Sequence, residues 1–397
     1  MFEKCISCLC GKSYPVNKII FKCVCGKNLE IIFDYEKLKK SIDKETIKSR
    51  PFKQLRYKEF YPVQSPVSLQ EGGTPLLRSK NIERELGLKF ELYFKNETIN
   101  PTGSFKDRGS SVEVAKAKEF GFEKALCATT GNMGASVSAY SAVANLQCNI
   151  FMPKDAKKAK IEQILSYGAK VYHFKKEYTE VAEAAEYVAK NFGVFLLGDY
   201  LYRREGTKSI GFELAEQIQA DYVFVPIGNG VLLSGTWKGL KEFRHLGFAK
   251  SLPKMAGVQA HGSSTITYDI FKRKPIKNSI KELKHPHTLA DAIEVGFPLD
   301  GERALEALIE SKGFEEIVSD REILHAKELL AKREGLYAEP AGAAALAGLL
   351  KSKHRIEKGS KVVCLVTGHG LKTPFIGNKR KPIETNIDRK SLDKIFK

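Results

Sequence analysis

The residues best able to do chemistry lie at four short junctions, each an apolar run followed by a turn and a helical pattern. In the first, Pro101–Thr102–Gly103–Ser104–Phe105–Lys106–Asp107–Arg108–Gly109, the spacing puts Lys106 in the first turn of a helix. The helix macrodipole disfavours a cation there, so the amine is partly neutralised, and a neutral amine can form a Schiff base. For this junction alone an ordinary exposed lysine is the default. The second, Thr129–Thr130–Gly131–Asn132–Met133–Gly134–Ala135–Ser136, brings hydroxyls, an amide and N–H groups to a helix start. That is a cradle for a carboxylate or phosphate, or simply an N-cap. The third, Val225–Pro226–Ile227–Gly228–Asn229–Gly230–Val231–Leu232, can wrap a phosphate with backbone donors, although glycines serve many ordinary turns. The fourth, Val366–Thr367–Gly368–His369–Gly370–Leu371–Lys372, ends a strand on a hydroxyl.

A separate chemistry stands at the start of the chain. Cys5, Cys8, Cys10, Cys23 and Cys25 crowd the N-terminus, while Cys127, Cys148 and Cys364 are scattered through apolar runs. That is not a disulfide framework. Cys5-x2-Cys8 and Cys23-x-Cys25 offer four thiolates to a tetrahedral structural zinc, with Cys10 able to replace Cys5 or Cys8. A packed, reduced cluster is the alternative. A segment of about 34 residues buries too little core to stand alone, which favours the metal.

The elements that must position these groups follow an alternation that begins near residue 88. Strands are expected at Phe90–Phe94, Ala125–Ala128, Asn149–Met152, Lys170–Phe174, Phe195–Leu197, Tyr222–Val225, Met255–Gln259 and Lys361–Val366. Helices are expected at Phe105–Phe120, Ala135–Ala144, Ala156–Tyr167, Thr179–Asn191, Ser209–Gln219, Asp320–Arg333 and Ala341–Leu350. Short apolar strands between helices argue for parallel sheets covered on both faces. The pattern is too long for one small unit and implies two three-layer α/β lobes around a cleft at the carboxyl ends of the strands. The chain divides into a Cys-rich, zinc-ribbon-like knuckle (1–34), a linker leading into the catalytic region (35–90), that region itself (91–375) and a basic tail (376–397). No internal repeat is apparent.

The chain has 65 Lys and Arg against 47 Asp and Glu, a net charge of +18. The tail from Ile376 to Lys397 holds 7 basic and 3 acidic residues, so 7 − 3 gives only +4 of that. The rest is spread along helices, which suits solvated lysine faces and anionic small molecules better than nucleic acid. No run of about 18 apolar residues is present, so no membrane span is expected. No secretory signal is visible, and a cytoplasmic protein is the expectation.

Taken together, PTGSFKDRG, TGN, GNG and TGHGLK, in that order, resemble the threonine synthase family of the tryptophan synthase β superfamily, the fold type II pyridoxal-phosphate enzymes. Glu205–Gly206–Thr207–Lys208–Ser209, Thr288–Leu289–Ala290–Asp291–Ala292 and Glu339–Pro340–Ala341 match as well, as does the Cys-rich start. The resemblance spans Cys5 to about Lys372. It implies that Lys106 holds pyridoxal 5′-phosphate covalently and then moves protons. It implies that Asn132 meets the cofactor's 3′ oxygen, that Gly228, Asn229, Gly230, Val231 and Leu232 bind its phosphate, and that Thr367 faces the ring nitrogen. A hydroxyl at that nitrogen leaves a weaker electron sink, which suits elimination and replacement better than transamination. Thr129, Thr130, Gly131 and Arg203 are the expected substrate contacts. A homodimer is expected too, since enzymes of this fold usually pair.

The substrate side departs from the family. Met133 closes a loop that usually reads Ser/Thr-Gly-Asn-Thr, and Val231–Leu232 replaces Gly-Asn. The usual Asn-Ser-x-Asn-Pro-x-Arg becomes Leu197–Gly198–Asp199–Tyr200–Leu201–Tyr202–Arg203, of which only Arg203 survives. A hydrogen bond to a charged group is worth about 1.5–3 kcal/mol, so losing two weakens phosphate binding by roughly 100-fold or more. Three reactions stay open: O-phosphohomoserine plus water to threonine plus phosphate, β-replacement on a serine derivative, and serine/threonine dehydration.

Overall fold

The computed structural model describes residues 2–154, 156–267 and 279–373. Its strands are β1 (Glu3–Cys8), β2 (Ser13–Tyr14), β3 (Leu29–Phe33), β4 (Leu76–Arg78), β5 (Glu91–Asn96), β6 (Lys124–Ala128) and β7 (Gln147–Met152). β8 (Lys170–His173), β9 (Phe195–Leu197), β10 (Tyr222–Pro226), β11 (Lys254–Ala260), β12 (Phe314–Val318) and β13 (Lys361–Val366) follow. They form a knuckle sheet β2-β1-β3, a six-stranded sheet β12-β11-β10-β13-β5-β4 and a four-stranded sheet β8-β7-β6-β9.

The two larger sheets are parallel except for β4, which runs antiparallel to β5. The period-2 geometry of a strand explains how the large sheet is covered on both faces. Phe224, Val362, Cys364, Val366, Ala256 and Val258 enter one apolar cluster. Their neighbours Val223, Val225, Val363, Leu365 and Met255 enter another. That is why β10 and β13 read as continuous apolar runs. The chain begins the large lobe, crosses to build the small one from β6 to β9, and returns at β10. The carboxyl ends of β6, β10 and β13 therefore open on one cleft.

The knuckle is docked onto the lobes. Ile6, Leu29, Ile31 and Phe33 join the core cluster of the small lobe. Buried cations hold its edge: Arg204 donates to Leu29 O (2.8 Å) and Lys238 to Ile31 O (2.5 Å).

Residues 35–90 are more structured than a linker. Asp34 and Asp43 cap the short helices Tyr35–Ser41 and Lys44–Lys48, Tyr57 and Phe60 pack on Phe212 and Phe243, and β4 joins the large sheet. The structure adds the helices Leu201–Thr207 and Gly301–Glu310 and the strand β12. Leu201–Thr207 is buried all round, so it shows no amphipathic period to read. The basic tail at 376–397 lies outside the described residues.

Candidate active site

The loop before the helix Lys106–Glu119 is stitched to the end of β13. Phe105 N donates to Thr367 O (3.0 Å) and His369 N to Gly103 O (2.9 Å). The three charged residues that follow then diverge. Asp107 turns back and accepts from Thr102 N (2.7 Å) and Thr102 Oγ1 (2.5 Å), closing the loop. Arg108 enters a fully buried network with Glu97 and Glu213, both at 2.6 Å. Lys106 points into the cleft, with Nζ 3.5 Å from Asp199 Oδ1. Burial holds its amine below the ordinary lysine range, with Asp199 opposing and Arg203 reinforcing that shift. The lowered proton affinity expected of this lysine therefore has burial as its chief cause.

Two close approaches hold this helix in place. A Cβ on Gly206 would lie 1.9 Å from Arg108 O, and one on Gly109 would lie 2.6 Å from Arg203 Cγ. The matched Gly109 and Glu205–Gly206–Thr207 segments are therefore a helix crossing.

Around Lys106 the cleft has two halves. One is lined by Gly228, Asn229, Gly230, Val231, Leu232 and Thr367, with Asn132 and Glu339 at its side. Gly230 has φ +98 and precedes the helix Val231–His245, so first-turn N–H groups that lack intrahelical acceptors face this half. Asn132 opens the helix Asn132–Val143 and donates Nδ2 to Glu339 Oε1 (2.6 Å), while its buried Oδ1 has no partner among the described residues. Burial pushes the Glu339 carboxyl up, against Lys160 3.7 Å away.

The other half is lined by Thr129, Thr130, Met133, Tyr178, Asp291 and Glu294, and shares Lys106, Asn132, Asp199 and Asn229 with the first. Thr129 Oγ1 accepts from Gly131 N (3.0 Å) and Gly134 N (3.2 Å), so its hydroxyl caps the helix. A Cβ on Gly131 would lie 2.0 Å from Lys160 Cδ, which packs the loop against a lysine bound to Asp291 (2.8 Å). Among the described residues lining this half, Lys106 is the one cation.

Arg203 is not at the cleft. It is 1% exposed and its guanidinium is committed to Glu113, Gly198 O, Lys106 O and Ser110 Oγ. The expectation that it contacts substrate is therefore corrected: it lies behind Lys106 and supports the helix. Asp199, Tyr178, Asp291, Glu294 and Glu339 join the site beyond the expected set. The only signal for Asp291 and Glu339 is their place inside matched segments. Asp199 is visible in sequence only as a departure, and Tyr178 not at all.

In the knuckle, Cys8, Cys10, Cys23 and Cys25 converge, all Sγ atoms lying within 4.8 Å of one another. Cys5 is not among them. It lies on β1 three residues before Cys8, and an odd spacing on a strand sends the two side chains to opposite faces. The cluster comes instead from two like turns, Cys8–Leu9–Cys10–Gly11–Lys12 and Cys23–Val24–Cys25–Gly26–Lys27. Each is closed by the same two backbone bonds, Gly11 N to Cys8 O and Cys8 N to Lys12 O in the first, Gly26 N to Cys23 O and Cys23 N to Lys27 O in the second. This Cys-x-Cys-Gly-Lys duplication is a short internal repeat, where none was expected.

Comparison with known proteins agrees with this geometry. A family model described as pyridoxal-phosphate dependent enzyme matches residues 67–368. The chain is 42% identical to the threonine synthase of Methanocaldococcus jannaschii, covering 100% of both chains. It is 39% identical to that of Methanosarcina acetivorans, covering 97% of this chain and 96% of the relative. Among solved structures, the threonine deaminase of T.th. superposes with a TM-score of 0.64 at 26% identity, covering 77% of this chain and 94% of that one. Maize serine racemase, at 21% identity and a TM-score of 0.64, shares the fold over 81% of this chain and 91% of its own. The chain belongs to the pyridoxal-phosphate dependent enzymes, within the threonine synthase family.

Proposed function

We propose that the enzyme is a threonine synthase that converts O-phosphohomoserine and water to threonine and phosphate. The observation that carries this reading is the 42% identity, over the full length of both chains, to a threonine synthase. The cleft supports it. A half-buried lysine of lowered proton affinity, an orphaned Asn132 Oδ1 and a helix N-terminus preceded by a left-handed glycine fit pyridoxal phosphate. Lys106 would hold the cofactor, Asn132 its 3′ oxygen, the N–H groups of Gly228–Leu232 its phosphate, and Thr367 its ring nitrogen. When bound, the cofactor withdraws electrons from the substrate's Cα. Lys106 Nζ then takes and returns protons at the carbons beside it. Thr130 and the first turn at Asn132, which line the same half of the cleft, would meet the substrate carboxylate, and the walls of both lobes would exclude bulk water.

One observation favours a second reading. The substrate half presents Asp199, Asp291 and Glu294, which suits a smaller, unphosphorylated amino acid better than a second phosphate. Replacement on a serine derivative, or dehydration, is that alternative. The test is a panel of O-phosphohomoserine, O-phosphoserine with sulfite, and threonine. Threonine and phosphate appearing together from the first substrate alone supports the proposal. Turnover of only the second or third overturns it.

We further propose that Cys8, Cys10, Cys23 and Cys25 hold a structural zinc. Cys8–Cys25 and Cys10–Cys23 Sγ distances are both 3.6 Å. The edge of a tetrahedron with Zn–S of about 2.3 Å is about 3.8 Å, so little movement is needed.

A further inference from the structure

We propose that Asp199 is the proton-holding partner of Lys106, and that Asn28 of the Cys knuckle fixes the Asp199 main chain so that its carboxylate stays between Lys106 and Asn229. The inference rests on the reading of Lys106 as the cofactor lysine.

Asp199 lies on the turn between β9 and the helix Leu201–Thr207 and is 2% exposed. A carboxylate removed from water needs partners. Here Oδ2 accepts from Asn229 Nδ2 at 2.7 Å, and Oδ1 faces Lys106 Nζ at 3.5 Å. Asp199 thus joins the reacting amine to the glycine loop. The other groups facing the pair come from several elements. Arg203 lies behind Lys106, ion-paired to Glu113, and Cys127 of β6 and Tyr178 flank the pair as neutral groups held protonated by burial. Asp291 and Glu294 line the opposite wall, Asp291 being tied to Lys160. Asp199 is therefore the carboxylate in direct reach of the amine.

The support comes from an unexpected direction. Asn28 follows Cys25 by three residues, is 7% exposed, and donates Nδ2 to Asp199 O (3.3 Å) and to Asp300 Oδ1 (3.1 Å). Asp300 N in turn donates to Asn229 O (2.8 Å). One side chain of the knuckle therefore touches the main chain of Asp199 and the segment that holds its Asn229 partner. Lys27 anchors the same turn to Glu302 at 2.8 Å. A carboxylate at this distance favours the ammonium form of Lys106 and opposes the desolvation that favours the neutral amine. When Lys106 takes a proton from carbon, Asp199 stabilises the charge it gains.

The test titrates Lys106 in the full-length protein after resident cofactor has been removed with hydroxylamine and dialysis. Its rate of acylation by acetic anhydride is followed against pH by peptide mass spectrometry, since only the neutral amine reacts. Removing the carboxylate must lower the amine's proton affinity, so in Asp199→Asn the midpoint should fall by about one unit, roughly a tenfold faster reaction well below the midpoint. Asn28→Ala, and Asn28→Leu, which keeps the approximate shape without charge but loses the donor, should move it the same way by about threefold in rate, with circular dichroism unchanged. An unmoved midpoint in Asp199→Asn overturns the role of Asp199. A shift there with none in either Asn28 variant overturns the role of the knuckle. Should Asp199→Asn fail to fold, the Asn28 variants decide alone: an unmoved midpoint in them overturns the proposal. Borohydride reduction of the wild-type holoenzyme tests the underlying reading separately, because an unlabelled Lys106 would refute that reading whatever the titration shows.

Discussion

The cleft and the Cys knuckle are both built from tight turns at strand ends, but they gather their groups over very different lengths of chain. In the knuckle, Cys8 meets Cys25 across 17 residues, and two copies of one five-residue turn supply every thiol. In the cleft, Asn132 meets Glu339 across 207 residues, and no two of the four junctions share a hairpin. A local site is specified by turn and strand parity. A distributed site is specified by which strand ends share one edge of a sheet. The second exists only when both lobes are complete.

Lys106→Ala gives the largest effect expected. It should lower turnover by at least about 1,000-fold and abolish the covalent cofactor signal, because no other described residue lining the cleft offers an amine. Retained turnover with an intact absorbance band would place the reacting group elsewhere. Gly230→Ala comes next. Its left-handed φ of +98 costs an L-residue about 1–2 kcal/mol, and the new Cβ would sit 2.9 Å from Asp300 O. Cofactor affinity measured by fluorescence titration should fall by about 5- to 30-fold while the fold persists, and an unchanged affinity would show that this turn does not hold the phosphate.

The smallest and sharpest contrast lies in the knuckle. Cys10→Ser should remove about one zinc per chain and lower thermal stability by several degrees, since a structural metal contributes directly to folding. Cys5→Ser should leave metal content and melting temperature unchanged, because Cys5 stands on the opposite face of β1. Equal loss in both variants would show that the ligand set is wrong. A fully folded wild-type protein without metal would remove the zinc altogether.

Much of the fold is legible in sequence because its signals are local. β10 and β13 are apolar at almost every position, and buried parallel strands demand that. The edge strand β12, Phe-Glu-Glu-Ile-Val, carries two acids and gives no such signal, and Leu201–Thr207 gives no helical period because every face of it is buried. In the knuckle, counting cysteines locates the cluster, but the choice between Cys5 and Cys10 requires knowing that residues 3–8 are a strand.

Sequence by itself determined the four junctions, the apolar strands that align them, and the place of Lys106 in the first turn of a helix, because a turn and the helix after it are set by residues a few positions apart. Only the tertiary structure decided where the charged side chains beside those junctions go. Arg203, the survivor of a matched segment, turns away to Glu113, while Asp199, which looks like a loss in sequence, faces Lys106 and is steadied by Asn28 of the knuckle. The physical reason is burial. A charge removed from water must take whichever partner the packing of distant elements brings within hydrogen-bond reach, and that partner is not written in the residues next to it.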